Sequence, residues 1–297
     1  MNSNDKNLTD EIGNSIYQRE SKNYYALLRD IHTQKFTFNP KRIEAERTKK
    51  RYFNGNVEGI NNLYTFIDLL CNLLKDKNNV NGVDYGCGNH FFISDLRRAY
   101  GWDVVGYDSD EAAIESAKIE YPDSKDSYIY LDLLKNRIPL PDESQDFVFC
   151  NAVIQHFSDA EADYAFNDIS RILKPGGIFV LIFKRNIDNW SEYSKKTGLE
   201  AKVLDEREGR IKIEDKSMRV ALHKLSIEEM TDWGSDIIQG LRIFHFFSIE
   251  KVMAMLKFKN LKILTDFEFN NKKMEKAIFK YNSGKEIPTA ALFFRKD

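Results

Sequence analysis

The sequence contains few cysteines, no excess of charge of either sign and no long apolar run. Cys71, Cys87 and Cys150 are its only cysteines, and their wide spacing matches no metal-ligand motif. A scaffold built on disulfides needs more of them, so we expect a reducing, cytoplasmic environment. No segment approaches the ~20 apolar residues that span a bilayer, and the polar start MNSNDKNLTDE is unlike a signal peptide. The sequence therefore predicts a soluble globular protein with no membrane partner.

The balance of charge and the lack of metal-ligand motifs exclude two further classes of protein. The 44 Lys and Arg residues nearly match the 46 Asp and Glu residues, which leaves a formal net charge of −2. Binding to a phosphate backbone needs a basic excess, so no nucleic-acid partner is expected. No His-x-His, Cys-x-x-Cys or clustered carboxylate triplet occurs, so no metal is expected either. The sequence leaves the oligomeric state open.

Short apolar runs alternate with helical patterns between Val83 and Phe183. The predicted strands cover residues 83–85, 103–107, 128–131, 146–150 and 178–183. Such alternation is typical of crossover units that build a mainly parallel sheet with helices on its faces. The last run, IFVLIF, is apolar throughout, which indicates a strand covered on both sides. The chain is longer than a usual domain of roughly 100–200 residues, so we expect additions to this α/β core.

The rest of the chain is divided around this core. We expect a polar tail and a helical cap in residues 1–55, the first part of the core in 56–185, an insertion after the fifth strand in 186–246, and the end of the core in 247–297. Two alternating stretches at 210–214 and 218–225 predict a β-hairpin within the insertion. The last part is predicted to contain helices at 248–256 and 272–280 and strands at 261–269 and 290–294.

A glycine turn joins the first predicted strand to the helix that follows it. It reads Asp84-Tyr85-Gly86-Cys87-Gly88, and its glycines allow a ligand to approach the backbone closely. The dinucleotide fingerprint requires a third glycine, but Phe91 stands at that position, so a pyrophosphate site is disfavoured. The carboxylate of Asp84 would repel a pyrophosphate and attract a cation. The turn therefore predicts a site for a positively charged ligand.

Polar side chains also follow the next three predicted strands. Asp108 lies 22 residues after Gly86, where an acid can accept hydrogen bonds from both hydroxyls of a ribose. Asp132 follows the third strand and could accept from the exocyclic amine of a purine, and Asn151 ends the fourth. Because open α/β sheets bind ligands at the carboxyl ends of their strands, we expect these groups to share one site. The set suits a positively charged nucleoside without phosphates.

These motifs resemble those of class I S-adenosylmethionine-dependent methyltransferases that act on small molecules. The resemblance is carried by Asp84-x-Gly86-x-Gly88, Asp108, Asp132, the segment NAVIQHF at 151–157 and the segment RILKPGG at 171–177. It implies a Rossmann-like, seven-stranded, mostly parallel sheet. It also implies S-adenosylmethionine as cofactor, S-adenosylhomocysteine as product and no metal. The implied cofactor-binding residues are Asp84, Tyr85, Gly86, Cys87, Gly88, Asp108, Ser109, Asp132, Leu133, Asn151, Ala152 and Phe157.

The resemblance also assigns roles within this set. The Gly86–Gly88 backbone would face the methionine part of the cofactor, Asp108 would hold the ribose and Asp132 the adenine amine. His156 would lie near the methyl group, and its imidazole is the candidate general base for a hydroxyl or ammonium acceptor. A carboxylate or thiolate acceptor would need no base. The chain departs from the family at His90, where a third glycine is common.

The acceptor and its pocket are less well defined. Aromatic and polar residues of the cap and the insertion are candidates to line it, namely Tyr24, Tyr25, Arg185, Trp190, Tyr193 and His245. We expect O- or N-methylation of a small molecule by direct in-line transfer. Two alternatives stay open: an NAD(P)-dependent oxidoreductase and a non-catalytic homologue that binds the cofactor. The acids could also be helix caps and His156 a packing residue.

Overall fold

The computed structural model describes residues 63–88, 92–186, 192, 201–205, 210–214, 241–265, 267–269, 272–281 and 289–297. The predicted cap in residues 1–55, with Tyr24 and Tyr25, lies outside these ranges. The candidate pocket residues Trp190 and Tyr193 and the predicted strand at 218–225 lie outside them as well.

Within these ranges, the core is an α/β fold built on an eight-stranded sheet. Its strands are β1 (Asn81–Tyr85), β2 (Asp103–Asp108), β3 (Tyr128–Tyr130), β4 (Gln145–Asn151), β5 (Leu173–Lys184), β9 (Leu261–Ile263), β12 (Ile278–Tyr281) and β13 (Thr289–Lys296). Seven of them follow the order β12-β13-β5-β4-β1-β2-β3, and the short β9 is an eighth strand that pairs with β13. The pairs from β5 to β3 are parallel, while β13 is antiparallel to β5, β9 and β12. The predicted mostly parallel sheet is confirmed.

Helices cover both faces of this sheet. They are α1 (Leu63–Leu74), α2 (Phe92–Tyr100), α3 (Glu111–Glu120), α4 (Asp159–Ile172) and α5 (Ile249–Lys257), with 3-10 turns at Pro122–Ser127 and Ile154–His156. One core layer joins α1 and α2 to the sheet, and the other joins α4 and α5 to its opposite face. Helix α4 begins at a capping box in which Ser158 accepts from the Glu161 amide and Glu161 accepts from the Ser158 amide.

Strand β5 shows why its predicted run of apolar residues has no polar break. Ile178, Val180 and Ile182 pack into the layer of α1 and α2, while Phe179, Leu181 and Phe183 pack into the layer of α4 and α5. Side chains alternate between the faces of a strand, so a strand buried on both sides is apolar at every position.

The insertion contains a small sheet of its own. Strands β6 (Ala201–Asp205), β7 (Arg210–Glu214) and β8 (Leu241–His245) are antiparallel, with β7 in the centre. The predicted hairpin between residues 210–214 and 218–225 is wrong, because both edges of β7 pair with β6 and β8. Alternation of polar and apolar residues marks a strand, but it does not identify the partner of that strand.

The two ends of the insertion meet at the carboxyl end of β5. Arg185 forms a parallel β-bridge with Phe247, and the Asn186 amide donates to the Phe247 carbonyl at 3.0 Å. Strand β8 then lies beside the 3-10 turn at Ile154–His156, which follows β4. The insertion is therefore anchored over the end of β4 and β5.

The C-terminal part differs from the sequence prediction in two places. The predicted helix at 272–280 is wrong: β11 (Lys272–Met274) pairs with β10 (Phe267–Phe269), and β12 pairs with β13. The single strand predicted at 261–269 is two strands, β9 and β10, with different partners. Burial explains the strand at β12, because Ala277 and Phe279 are buried while Ile278 between them is only partly buried. That period of two belongs to a strand.

Candidate functional site

The carboxyl ends of β1, β2 and β4 bring three of the predicted polar residues to one edge of the sheet. Asp84 pairs with Gly106 on one side and with Phe149 on the other. Asp108 lies two residues beyond Gly106, and Asn151 lies two residues beyond Phe149. Because side chains two positions apart share a face, all three side chains lie on the same face of the sheet.

The glycine turn after β1 packs tightly between two neighbouring segments. Gly86 and Gly88 have φ angles of 74° and 52°, in the left-handed region that glycine adopts most easily. The amides of Gly86 and Cys87 donate to the Tyr107 carbonyl at 2.8 and 3.2 Å. A Cβ atom on Gly86 would lie 2.3 Å from Val153 Cγ2, so the segment after β4 requires glycine there.

Asp108 joins this turn to the end of β2. Its Oδ2 accepts from the Gly88 amide at 2.7 Å, and its Oδ1 accepts from the Asp110 amide at 2.8 Å. Burial raises the pKa of Asp108 to about 6, although the two amide hydrogen bonds act against that shift. Each carboxylate oxygen has a second lone pair, so both remain able to accept a hydroxyl from a ligand.

Asp84 is a buried carboxyl group of a different kind. Asp84 is 3% exposed, and no described residue donates a hydrogen bond to its carboxylate. Burial raises the pKa of Asp84 well above its ordinary value, and the nearby charge of Asp108 raises it further. A buried carboxylate without such a partner is costly, and a cationic ligand would supply one.

Tyr85 and Cys87 contribute to this turn through their backbone. Their side chains are 1% and 3% exposed and belong to the two core layers. The Tyr85 hydroxyl donates to the Leu133 carbonyl at 3.4 Å, and Leu133 is itself 2% exposed. Burial raises the pKa of the Cys87 thiol well above its ordinary value, so this cysteine is an inert core residue.

A serine clamp joins the loops after β2 and β3. Ser109 Oγ accepts from the Leu133 amide at 2.9 Å and donates to the Leu131 carbonyl at 3.2 Å. The adjacent Asp132 stabilises its own turn, because Oδ1 accepts from the Leu134 amide at 3.2 Å and Oδ2 contacts Lys135 Nζ at 2.9 Å. Asp132 therefore has a structural role in the turn beside any role toward a ligand.

The segment after β4 is held in a constrained conformation. Ala152 has a φ angle of 59°, and its amide donates to the Ile182 carbonyl at 2.8 Å. The buried Gln155 donates from Nε2 to the Ala152 carbonyl at 3.0 Å, and its Oε1 has no hydrogen-bond partner among the described residues. His156 ends the following 3-10 turn and is partly buried, and Phe157 is buried beside it. Backbone held in such a sparsely populated region is typical of functional sites.

Gln155 is the residue of this segment that the sequence analysis missed. A single glutamine within a mostly apolar run carries no spacing signal, and its importance follows only from its burial and from the carbonyl that it contacts. The same holds for the clamp function of Ser109, which depends on two loops that are 22 residues apart.

Two of the candidate pocket residues fall within the described ranges. Arg185 follows β5, is partly buried, and donates from Nη1 to the Asn186 carbonyl at 3.4 Å. His245 ends β8, where its backbone lies opposite Arg210. Since β8 lies beside the turn that contains His156, these residues belong to the β4–β5 side of the edge.

The described ranges contain neither a candidate metal site nor a candidate membrane span. No group of three or more His, Cys, Asp or Glu residues there could hold a metal ion. None of the helices in those ranges is both long and apolar enough to cross a bilayer.

The strand order, the antiparallel β13 beside β5 and the acid–glycine turn after β1 together define the class I methyltransferase architecture. Residues 83–181 match the family model described as a methyltransferase domain. The fold is similar to that of a SAM-dependent methyltransferase from Methanosarcina mazei, with a TM-score of 0.55, 17% identity, and coverage of 79% of this chain and 98% of that one. It is also similar to a protein of Pyrococcus horikoshii OT3, with a TM-score of 0.53, 20% identity, and coverage of 84% and 99%. The chain therefore contains a methyltransferase domain at residues 83–181, within a fold shared with a SAM-dependent methyltransferase.

Curated relatives are similar over the same core. An uncharacterized methyltransferase of Synechocystis is 30% identical over 90 residues, which are 30% of this chain and 41% of the relative. A malonyl-[acyl-carrier protein] O-methyltransferase of Yersinia pestis is 34% identical over 98 residues, or 33% of this chain and 34% of the relative. The chain thus spans about two fifths or less of the length of these relatives.

Proposed function

We propose that the protein transfers a methyl group from S-adenosylmethionine to a small-molecule acceptor. The observation that carries this proposal is the pair of buried acids at the glycine turn. Asp84 has no hydrogen-bond donor among the described residues and lies beside Asp108, so this end of the sheet attracts a cation. The cofactor carries a positively charged methionine part and a ribose with two hydroxyls, which suit these two acids respectively.

Asp84 argues against the oxidoreductase alternative. A nicotinamide dinucleotide would bring a pyrophosphate to the turn after β1, where the buried carboxyl group of Asp84 would repel it when ionised. A non-catalytic role is less favoured too, because the insertion is anchored where an acceptor would have to bind.

The chemistry follows from how the residues would hold the reactants. The cofactor supplies an already activated methyl group. Asp108 would hold the ribose hydroxyls and Asp84 the cationic part, while the constrained segment from Ala152 to His156 would border the acceptor. Aligning the attacking atom in line with the transferred carbon can contribute roughly 7–11 kcal/mol in the best oriented systems. For a hydroxyl or ammonium acceptor, His156 would take the proton.

O- or N-methylation of a small molecule is the finer part of the proposal. It is supported by the anchored insertion and by the partly buried Arg185 at the end of β5. The names of two relatives, from Yersinia pestis and Hahella chejuensis, also describe O-methylation, although this chain covers only 34% and 33% of them.

Calorimetry with the purified protein tests the cofactor. We expect S-adenosylhomocysteine to bind and NADH to give no heat, and we expect Asp84→Asn to weaken binding at least tenfold. Asp103→Asn is the matched control, because Asp103 begins β2, is exposed and pairs with Arg97 far from the glycine turn. Binding of NADH without S-adenosylhomocysteine would overturn the proposal.

A further inference from the structure

The carboxyl edge of the sheet changes its charge from one strand to the next. Along the order β2-β1-β4-β5 the strands end with Asp108, with Asp84 near the end of β1, with Asn151, and with Lys184. The edge is therefore acidic on β2 and β1, neutral on β4 and basic at β5.

Lys184 lies on the same face of the sheet as Asp84. Asp84 pairs with Phe149, and Asn151 pairs with Ile182. Phe149 and Ile182 both pack into the core layer of α1 and α2. Since residues two positions apart share a face, Lys184 continues the row that contains the acids.

The distance between the two ends of this row fits two bound molecules. Strands β1 and β5 are two strand spacings apart, or about 10 Å, and Lys184 lies four residues beyond the residue level with Asp84, or about 13 Å along the strand. The two Cα atoms are therefore roughly 16 Å apart. The acids and the lysine would bind opposite ends of a reactant pair.

The two ends of the insertion meet beside the basic end of the row. The chain leaves the core at Arg185 and returns at Phe247, which is 1% exposed. Strand β8 lies beside the 3-10 turn that follows β4. A cation that is partly removed from water, as Lys184 is, interacts more strongly with an anion than an exposed cation does.

We propose that the acceptor is a carboxylate and that Lys184 binds its anionic group at the end of β5. This inference rests on the proposed methyl transfer and specifies the class of its acceptor. One end of the edge holds the positive cofactor, and the other holds a negative acceptor.

A carboxylate acceptor balances the reaction without a general base. One carboxylate oxygen forms a bond to the methyl carbon while the S–C bond breaks and its electron pair stays on sulfur. The products are a methyl ester and a neutral thioether, and no proton moves. His156 then orients the acceptor, and the rate does not depend on its deprotonation.

A panel of defined acceptors tests the inference. Hexanoate, benzoate, phenylacetate and malonyl N-acetylcysteamine are incubated with methyl-labelled S-adenosylmethionine, beside hexylamine, benzylamine and phenol. Methyl esters release labelled methanol in base, whereas methylamines and aryl ethers do not. We expect base-labile label from at least one carboxylate and no product from the amines or the phenol.

Variants then test the role of Lys184. With the accepted carboxylate, Lys184→Met should raise KM at least tenfold and weaken its calorimetric binding to the S-adenosylhomocysteine-loaded protein by a similar factor. Affinity for S-adenosylhomocysteine should stay within twofold. Lys184→Arg should restore most of the carboxylate affinity. Arg295→Met, on an exposed residue that pairs with Ile178 in β5, should leave both KM and the affinity for the carboxylate unchanged.

The outcomes separate this inference from the proposed function. A protein that binds S-adenosylhomocysteine but methylates only the amines or phenol, or none of the carboxylates, overturns the carboxylate inference alone. An unchanged KM in Lys184→Met overturns the role of that residue. Failure to bind S-adenosylhomocysteine at all overturns the proposed function itself.

Discussion

Asp84 and Asp108 lie on adjacent parallel strands, and burial, together with the nearby charge of Asp108, raises the pKa of Asp84. The two carboxyl groups differ in their surroundings: amides of Gly88 and Asp110 donate to Asp108, whereas no described residue donates to Asp84. In the ligand-free protein, Asp84 therefore holds its proton to an unusually high pH. A bound cation would reverse this, because it favours the ionised form.

Cofactor binding should therefore release protons. If the ammonium group of S-adenosylhomocysteine contacts Asp84, the pKa of Asp84 falls on binding, and up to about one proton leaves at pH 7. Calorimetry in phosphate and in Tris should give different apparent enthalpies, because the two buffers take up protons with different heats. Asp84→Asn should remove most of the difference. Equal enthalpies for the wild-type protein would contradict this assignment.

Replacement of Asp84 should also stabilise the ligand-free fold. A carboxyl group with a raised pKa binds more protons when folded, so its contribution to the free energy of unfolding falls as pH rises above its ordinary value of 3.8. Asp84→Asn removes that loss and should raise stability at pH 7 by about 1 kcal/mol or more. Urea denaturation at pH 5 and pH 7 measures the change, which should be larger at pH 7.

Asp146, at the amino end of β4, is a buried acid whose pKa is shifted in the opposite direction from that of Asp84. Lys77 and Lys174 each contact its carboxylate at 2.8 Å, and these pairs, with the Asn81 amide, lower the pKa of Asp146. Its stabilising contribution is present at neutral pH and is lost as pH falls through the lowered pKa. Because the lysines are partly exposed, Asp146→Asn should cost about 1–2 kcal/mol at pH 7. If Asp146→Asn instead raised the free energy of unfolding, the ionised form of Asp146 would not be stabilising, and the contrast with Asp84 would be wrong.

Gly86→Ala should weaken both folding and cofactor binding. The alanine would have to adopt a positive φ angle, and its methyl group would clash with Val153. Gly101→Ala is a matched control, because Gly101 has a φ angle of 67° and nothing within 4 Å of the added Cβ. In the control, the free energy of unfolding should fall only by the cost of placing a residue with a Cβ atom at a positive φ angle, about 1–2 kcal/mol. Thermal unfolding of both variants measures the excess cost at Gly86, and equal losses would exclude a role for the Val153 contact.

Ser109→Ala should loosen the loops after β2 and β3. The Leu133 amide would lose its acceptor, and a lost hydrogen bond of this kind costs about 1 kcal/mol. We expect faster hydrogen exchange at the Leu133 amide and a several-fold weaker affinity for S-adenosylhomocysteine. Unchanged exchange at that amide would mean that the clamp contributes little.

The sequence was sufficient for the central part of the fold and for the placement of the acids. Strand ends in a parallel sheet meet at one edge, so Asp84, Asp108 and Asn151 could be brought together from their positions after apolar runs. Their partners could not be predicted in this way. The amide of Gly88 reaches Asp108 only because the glycine turn folds back onto β2.

The errors in the C-terminal part and in the insertion have a common cause. Polar residues in 272–280 suggested a helix, but Ala277 and Phe279 are buried at a spacing of two and Phe279 packs against Phe293. Tertiary packing overrides local composition in such short segments. Similarly, β7 was recognised as a strand, but its partners β6 and β8 come from both sides of it along the chain.

The bridge between Arg185 and Phe247 makes the insertion a separable module. Its entry and exit are one hydrogen bond apart, so a linker of a few residues could replace everything between them without pulling β5 away from α5. Related proteins could therefore exchange this module during evolution and acquire new acceptors while the nucleoside half stays constant. On the proposed function, grafting such a module from a homologue would change the acceptor of the methyl group.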